Sequence, residues 1–173
     1  MNHPFIVIMG VSGCGKTTIA SSLAEKLGGR YLEGDSFHPP ENKEKMGAGI
    51  PLTDEDRWPW FDELRSAASE AINDGKTAVL SCSALKQVYR DYLFQGFDEP
   101  RLVYLEGSFD LIKSRMDARN HEYMTSTLLK SQFDTLEEPQ AEANCLAVSI
   151  ELSPEEILEQ IESWLSAAEV SNG

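Results

Sequence analysis

Two stretches of the chain carry residue types suited to chemistry on phosphates. The first, GVSGCGKT at residues 10 to 17, fits the pattern G-x-x-x-x-G-K-[ST]. Gly10, Gly13 and Gly15 let the backbone turn tightly so that its N–H groups point inward, with Val11, Ser12 and Cys14 completing the loop. The helix that opens at Lys16 adds its positive end, and its first residues, through Thr18, border the same cradle. Lys16 can reach the outer phosphates of a nucleoside triphosphate such as ATP, and the Thr17 hydroxyl is a ligand for Mg²⁺. The second stretch, EGDSFHPPEN at residues 33 to 42, is too polar for a core and too ordered for a spacer. Its Asp35 can orient or deprotonate an attacking hydroxyl, or hold Mg²⁺ through water. A turn or helix cap is the plainer role for that carboxylate.

Other chemistries fit less well. The esterase elbow G-x-S-x-G is a near miss, because Cys14 stands where it needs glycine. A guanine reader N-K-x-D is absent, since Asn42-Lys43-Glu44-Lys45 lacks the aspartate. Cys14 sits where a helix N-terminus favours a thiolate, so thiol reagents are expected to inactivate the protein and MgATP to protect it. The alternative is a small side chain pointing away from the cradle. Cys14, Cys82 and Cys145 form no CxxC pair, and His3, His38 and His121 are too scattered for a metal cluster.

The elements that must position these residues alternate in type. FIVIM (5 to 9), YLE (31 to 33), TAVLSC (77 to 82), RLVYLEG (101 to 107) and CLAVSIE (145 to 151) are near-continuous apolar runs, as strands covered on both faces require. Helical periodicity lies between them at 16 to 27 and 56 to 73. Ser153-Pro154-Glu155-Glu156 reads as a capping box for a last helix with Ile157, Leu158, Ile161, Trp164 and Leu165 on its stripe. The expected fold is α/β: an open parallel five-stranded sheet of the P-loop NTPase type, with helices on both faces. Ligands of such sheets bind at the carboxyl ends of the strands. The chain is expected to be one domain, 1 to 173, with a helical lid or flap at about 119 to 140.

A net charge of −14 disfavours nucleic acid and anionic membrane as partners. No run approaches a membrane span and no signal peptide opens the chain, so the expected compartment is the cytoplasm. An anionic substrate must meet locally concentrated cations.

GVSGCGKTT, EGDSFHPPENKEKMGAGIPLTDEDRWPW (33 to 60), SCSALKQVYRDYL (81 to 93) and SQFDTLEEP (131 to 139) occur in that order, and together the chain resembles the gluconokinase family of P-loop sugar-acid kinases. The resemblance implies ATP-dependent phosphorylation of D-gluconate at its 6-hydroxyl, with Mg²⁺, and a homodimer. EGDSFHPPEN then faces gluconate. A carboxylate with a row of hydroxyls needs cationic forks and short polar groups, which Arg57, Arg90, Lys86, Asp35 and His38 can supply, Lys86 lying one helical turn before Arg90. Each basic residue has a surface ion pair as its alternative. Trp58 and Trp60 are assigned to packing. In similar kinases one lid arginine lies on adenine and another approaches the transferred group, which implies such roles for Arg115 and Arg119. The lid departs from its relatives at Arg119-Asn120-His121-Glu122-Tyr123-Met124, so no role passes to His121. A shikimate or nucleoside monophosphate kinase would share the cradle and sheet, and a non-catalytic ATP-binding module would share the cradle.

Overall fold

The computed structural model describes residues 4–118, 126–139 and 144–171. Strands β1 (Phe5–Met9), β2 (Arg30–Glu33), β3 (Ala78–Ser81), β4 (Arg101–Glu106) and β5 (Cys145–Ser149) form one sheet in the order β2-β3-β1-β4-β5. Every pairing in it is parallel. The helices are α1 (Lys16–Leu27), α2 (Pro40–Gly47), α3 (Asp54–Asn73), α4 (Gln87–Phe94), α5 (Phe109–Ala118), α6 (Ser126–Thr135) and α7 (Pro154–Ser171), with a 3-10 turn at Gly34–Phe37.

Both faces of the sheet are apolar for a simple reason: consecutive side chains of a strand point to opposite sides. Ile6 and Ile8 enter one core with α1, α5, α6 and α7. Phe5, Val7 and Met9 enter the other with α3 and α4. That is the double burial anticipated from unbroken apolar runs, and all five residues of β1 are sealed from solvent.

Helix ends follow local chemistry. The capping box at α7 forms as expected, with the Ser153 N–H donating to Glu156 Oε1 and the Glu156 N–H donating to Ser153 Oγ, both at 3.2 Å. A second box at α3 was not anticipated: the Asp56 N–H donates to Thr53 Oγ1 and the Thr53 N–H to Asp56 Oδ2, so this helix starts two residues before the expected 56. Lys45 Nζ also donates to Asp56 at 2.7 Å, and with Thr53 it holds the carboxyl down at about 2. α2 and α4 are short, eight residues each, too brief for a periodicity to stand out.

Register brings the working ends together. Ser81 pairs with Ile8 on one side and Glu33 on the other. The loop after β1 and the turn after β2 therefore leave the sheet side by side, with Cys82–Ser83 between them. Chain order also reverses at β1, since β2 and β3 lie on one side of it and β4 and β5 on the other. Open parallel sheets present their ligand crevice at such a point. Among the described residues no helix is long and apolar enough to cross a membrane.

Candidate active site

Ser12, Gly13, Gly15, Lys16, Thr17 and Thr18 line a cleft of about 370 Å³ together with Glu33, Asp35, Ser81, Cys82 and Ser83. The loop between β1 and α1 has glycine wherever its backbone turns left-handed. At Gly13, φ is +84° and a Cβ would come within 2.9 Å of Met116 on α5. Lys16 folds over the loop and donates from Nζ to the Val11 carbonyl at 3.1 Å. Val11 and Cys14 are buried, with their side chains in the core beneath the loop.

The expected reactive thiolate at Cys14 needs correction. Its side chain is 4 % exposed, and burial pushes the thiol up, outweighing the opposing effect of Lys16. Cys82 is buried too and pushed up to about 12. A thiol that is neutral and out of reach is a core side chain, not a nucleophile.

Asp35 sits in the 3-10 turn after β2, and its carboxylate is 82 % exposed to the cleft and solvent. The turn is held from below by groups that sequence reasoning gave other tasks. Trp60 Nε1 donates to the Gly34 carbonyl at 2.8 Å, and the Trp60 ring stacks on His38 with centroids 3.9 Å apart. A Cβ on Gly34 would lie 2.5 Å from the Ser81 carbonyl, so only glycine lets the turn lean against β3. Trp60 does pack, as assigned, yet its indole N–H also fixes the turn that carries Asp35. The W-P-W stretch was the available signal, because a buried indole needs an acceptor.

His38 is 6 % exposed, and burial lowers its pKa, with the Asp35 carboxylate opposing. Asn42 Nδ2 donates to His38 Nδ1 at 3.3 Å and to the Asp56 carbonyl at 3.0 Å. An amide nitrogen can only donate, so neutral His38 carries its proton on Nε2, the atom facing Asp35 Oδ1 at 3.9 Å. That distance is too long for a direct hydrogen bond.

The cations expected around the acceptor separate into two groups. Arg57 and Lys86 meet at Asp54: Lys86 Nζ lies 3.4 Å and Arg57 NH1 4.0 Å from Asp54 Oδ1, and the Tyr89 hydroxyl donates to the same oxygen at 2.5 Å. Both cations also lie over the Tyr89 ring, at 5.0 and 5.5 Å from its centroid. The Tyr89 hydrogen bond and the two cations lower the Asp54 carboxyl. Arg57 spends one nitrogen on the Leu52 carbonyl at 2.8 Å.

Arg90 is different. It is 2 % exposed and donates to the carbonyls of Ala84 and Glu137 at 2.8 Å and to Gln87 Oε1 at 3.1 Å. Lys86 and Arg90 do not share a helical face, because Lys86 is the extended residue before α4 while Arg90 turns inward beneath the 84–87 loop. Of the three cations expected at the acceptor, Arg57 and Lys86 stand together at Asp54, and Arg90 is turned inward.

Arg115, on α5, donates to the Ile150 carbonyl at 2.7 Å, which holds its guanidinium at the carboxyl end of β5. Arg119 and His121 lie outside the described residues. Of the stretch 119 to 140, residues 126 to 139 are described and begin with α6. Gln132 on α6 contacts Ser12 twice, a link sequence reasoning missed although SQFDTLEEP had been singled out.

A family model described as an AAA domain matches residues 5–139. The thermoresistant gluconokinase of Escherichia coli K12 is 44 % identical over 87 % of this chain and 86 % of its own length. The gluconokinase of Gluconobacter oxydans 621H is 44 % identical over 91 % of this chain and 88 % of its own. The chain belongs to the gluconokinase family. The crystal structure of a gluconokinase from Sinorhizobium meliloti 1021 superposes with a TM-score of 0.84 at 40 % identity, covering 97 % of this chain and 95 % of the other. The expected α/β architecture is therefore that of the gluconokinase family, with the P-loop kinase sheet and its flanking helices in place.

Proposed function

We infer that this chain is a gluconokinase, transferring the γ-phosphoryl group of ATP to the 6-hydroxyl of D-gluconate to give 6-phosphogluconate and ADP. The observation that carries this reading is that the Asp35 carboxylate and the phosphate loop line one cleft, in a chain of the gluconokinase family.

The triphosphate lies along residues 10 to 18, with its outer end at Lys16. Gluconate runs from Asp35 past His38 toward Arg57 and Lys86, which draw its carboxylate away from Asp54. Asp35 orients the 6-hydroxyl and accepts its proton as the new O–P bond forms, while the bond from the γ-phosphorus to the bridging oxygen breaks and ADP departs. Lys16 offsets the charge that grows on the transferred oxygens. The donor set suits Mg²⁺, since Thr17 offers a hydroxyl and Glu33 and Asp35 offer carboxylates in the same cleft, all hard oxygen ligands. When bound with ATP, Mg²⁺ would supply charge neutralisation to the phosphate oxygens. His38 contributes a neutral N–H, consistent with its lowered pKa.

The lid proposed over residues 119 to 140 includes α6, which is seated on the core, so no movement is assigned to α6 itself; Arg115 is proposed to serve adenine and Arg119 the phosphoryl group. Closure keeps water from competing as acceptor. The reading also takes the whole chain as one domain and implies a cytoplasmic enzyme; a homodimer rests on family likeness, and light scattering on purified protein checks it.

The test is a coupled ADP-release assay with MgATP and gluconate, shikimate or AMP as acceptor. Gluconate alone should stimulate ADP formation. Stimulation by shikimate or AMP, or by none of the three, would overturn the assignment.

A further inference from the structure

The double contact between Gln132 and the phosphate loop has a geometric meaning. The Ser12 N–H donates to Gln132 Oε1 at 2.7 Å, and Gln132 Nε2 donates to Ser12 Oγ at 3.0 Å. The Ser12 nitrogen belongs to the same peptide unit as the Val11 carbonyl. That carbonyl accepts from Lys16 Nζ at 3.1 Å and from the Cys14 N–H at 3.3 Å. A peptide unit is planar, so neither end can rotate without the other. Gln132 grips one edge of a plate whose opposite edge holds the Lys16 ammonium.

The plate needs an outside grip. Gly10 and Gly13 flank Val11–Ser12, at φ +153° and +84°, so the neighbouring backbone restrains it only weakly. The helix that supplies the grip is firmly seated. Leu129 is fully buried, and Phe133 packs edge-on against Phe109 of α5 with centroids 5.7 Å apart. Just beyond α6, the Leu136 N–H donates to the Gln132 carbonyl and the Glu137 N–H to the Leu85 carbonyl, each at 2.8 Å. The Gln87 N–H donates to Glu137 Oε1 at 3.0 Å, and Arg90 holds the Glu137 carbonyl. Gln132 is thus fixed to the wall built from residues 84 to 90 as well as to the core.

We propose that Gln132 is a positioning residue for Lys16: by holding the Val11–Ser12 peptide in one orientation it keeps the ammonium where the transferred phosphoryl group develops charge. The inference rests on the kinase reading above. It assigns Gln132 no contact with substrate. Its loss should fall on turnover, because the lysine counts most when charge has spread over the phosphoryl oxygens, and should leave gluconate affinity nearly untouched.

The experiment compares Gln132→Ala and Gln132→Met, each in the wild-type and the Lys16→Ala backgrounds, in the coupled assay with MgATP and gluconate. Methionine keeps the length and packing of the side chain but forms neither bond with Ser12. Both variants should lose about 30-fold in kcat, with the gluconate KM within about twofold and Tm within a few degrees of wild type. In the Lys16→Ala background the same substitutions should change kcat by less than about twofold, since the group they position is gone. Wild-type kcat in both variants would overturn the proposal. So would an equal fold-loss in the two backgrounds, a loss confined to gluconate KM, or a Tm lowered by more than about 10 °C in both variants, which marks a fold-supporting residue. A wild-type protein that releases no ADP with gluconate sinks the kinase reading and this inference together; an active wild type with indifferent Gln132 variants sinks the inference alone.

Discussion

The two sides of the cleft are built on different principles. The side proposed for the nucleotide is one continuous loop and the first turn of α1, with glycine wherever the loop turns left-handed. The side proposed for the acceptor draws on side chains from three separated segments: the turn after β2, the start of α3 and the approach to α4. Each side chain proposed there is supported by a neighbour, Asp35 by Trp60 through Gly34, His38 by Asn42, Arg57 and Lys86 by Asp54 and Tyr89. A loop of backbone donors suits a ligand common to many enzymes. A pocket of individually supported side chains can be retuned for one acceptor without disturbing the other half.

That contrast can be broken by substitution. Lys16→Ala removes the one charged side chain of the loop side, and kcat should fall by about a thousandfold or more with Tm nearly unchanged, read by the coupled assay and by thermal melting. Asp35→Asn keeps the shape of the acceptor side and removes its proton acceptor; kcat should fall by about a hundredfold, with gluconate KM changing far less. Near-normal turnover would reduce Asp35 to a turn residue.

Arg57 and Arg90 sharpen the comparison further. Arg57→Lys should raise gluconate KM by about tenfold, because a point charge cannot reproduce a fork. Arg90→Lys should instead cost about 2 kcal/mol of stability, measured by denaturant unfolding, since it disturbs buried bonds to two carbonyls. A shift in KM without a loss of stability would return Arg90 to the pocket.

The smallest effect concerns pH. The folded chain holds His38 below its ordinary value of 6.5 because it is buried. As pH falls through 6.5 the unfolded chain takes up a proton that the folded chain refuses, so stability is fully present above that value and declines below it. Tm measured between about pH 7.5 and 5.5 should drop toward the acid end, and His38→Gln should flatten that slope.

What could be read from the residues alone follows the same division. The five strands and the phosphate loop were legible because a buried strand, a glycine pattern and a helix start are local statements. The short helix α2 was not, and neither was the inward turn of Arg90, whose partners are the carbonyls of Ala84 and Glu137. A basic residue six positions from one acceptor and 47 from another gives no sign in sequence that it will be buried. Asp35 was legible as a carboxylate at the right end of a strand, but not the indole beneath it. Gln132 was equally hidden, since its partner lies 120 residues away.

The indole of Trp60 has one more consequence. It is one of three tryptophans, with Trp58 and Trp164, and its ring faces an imidazole while its N–H holds the peptide next to Asp35. With the other two replaced by phenylalanine, its emission becomes an optical readout of the acceptor pocket, so that filling by a sugar acid can be followed by light with no label attached.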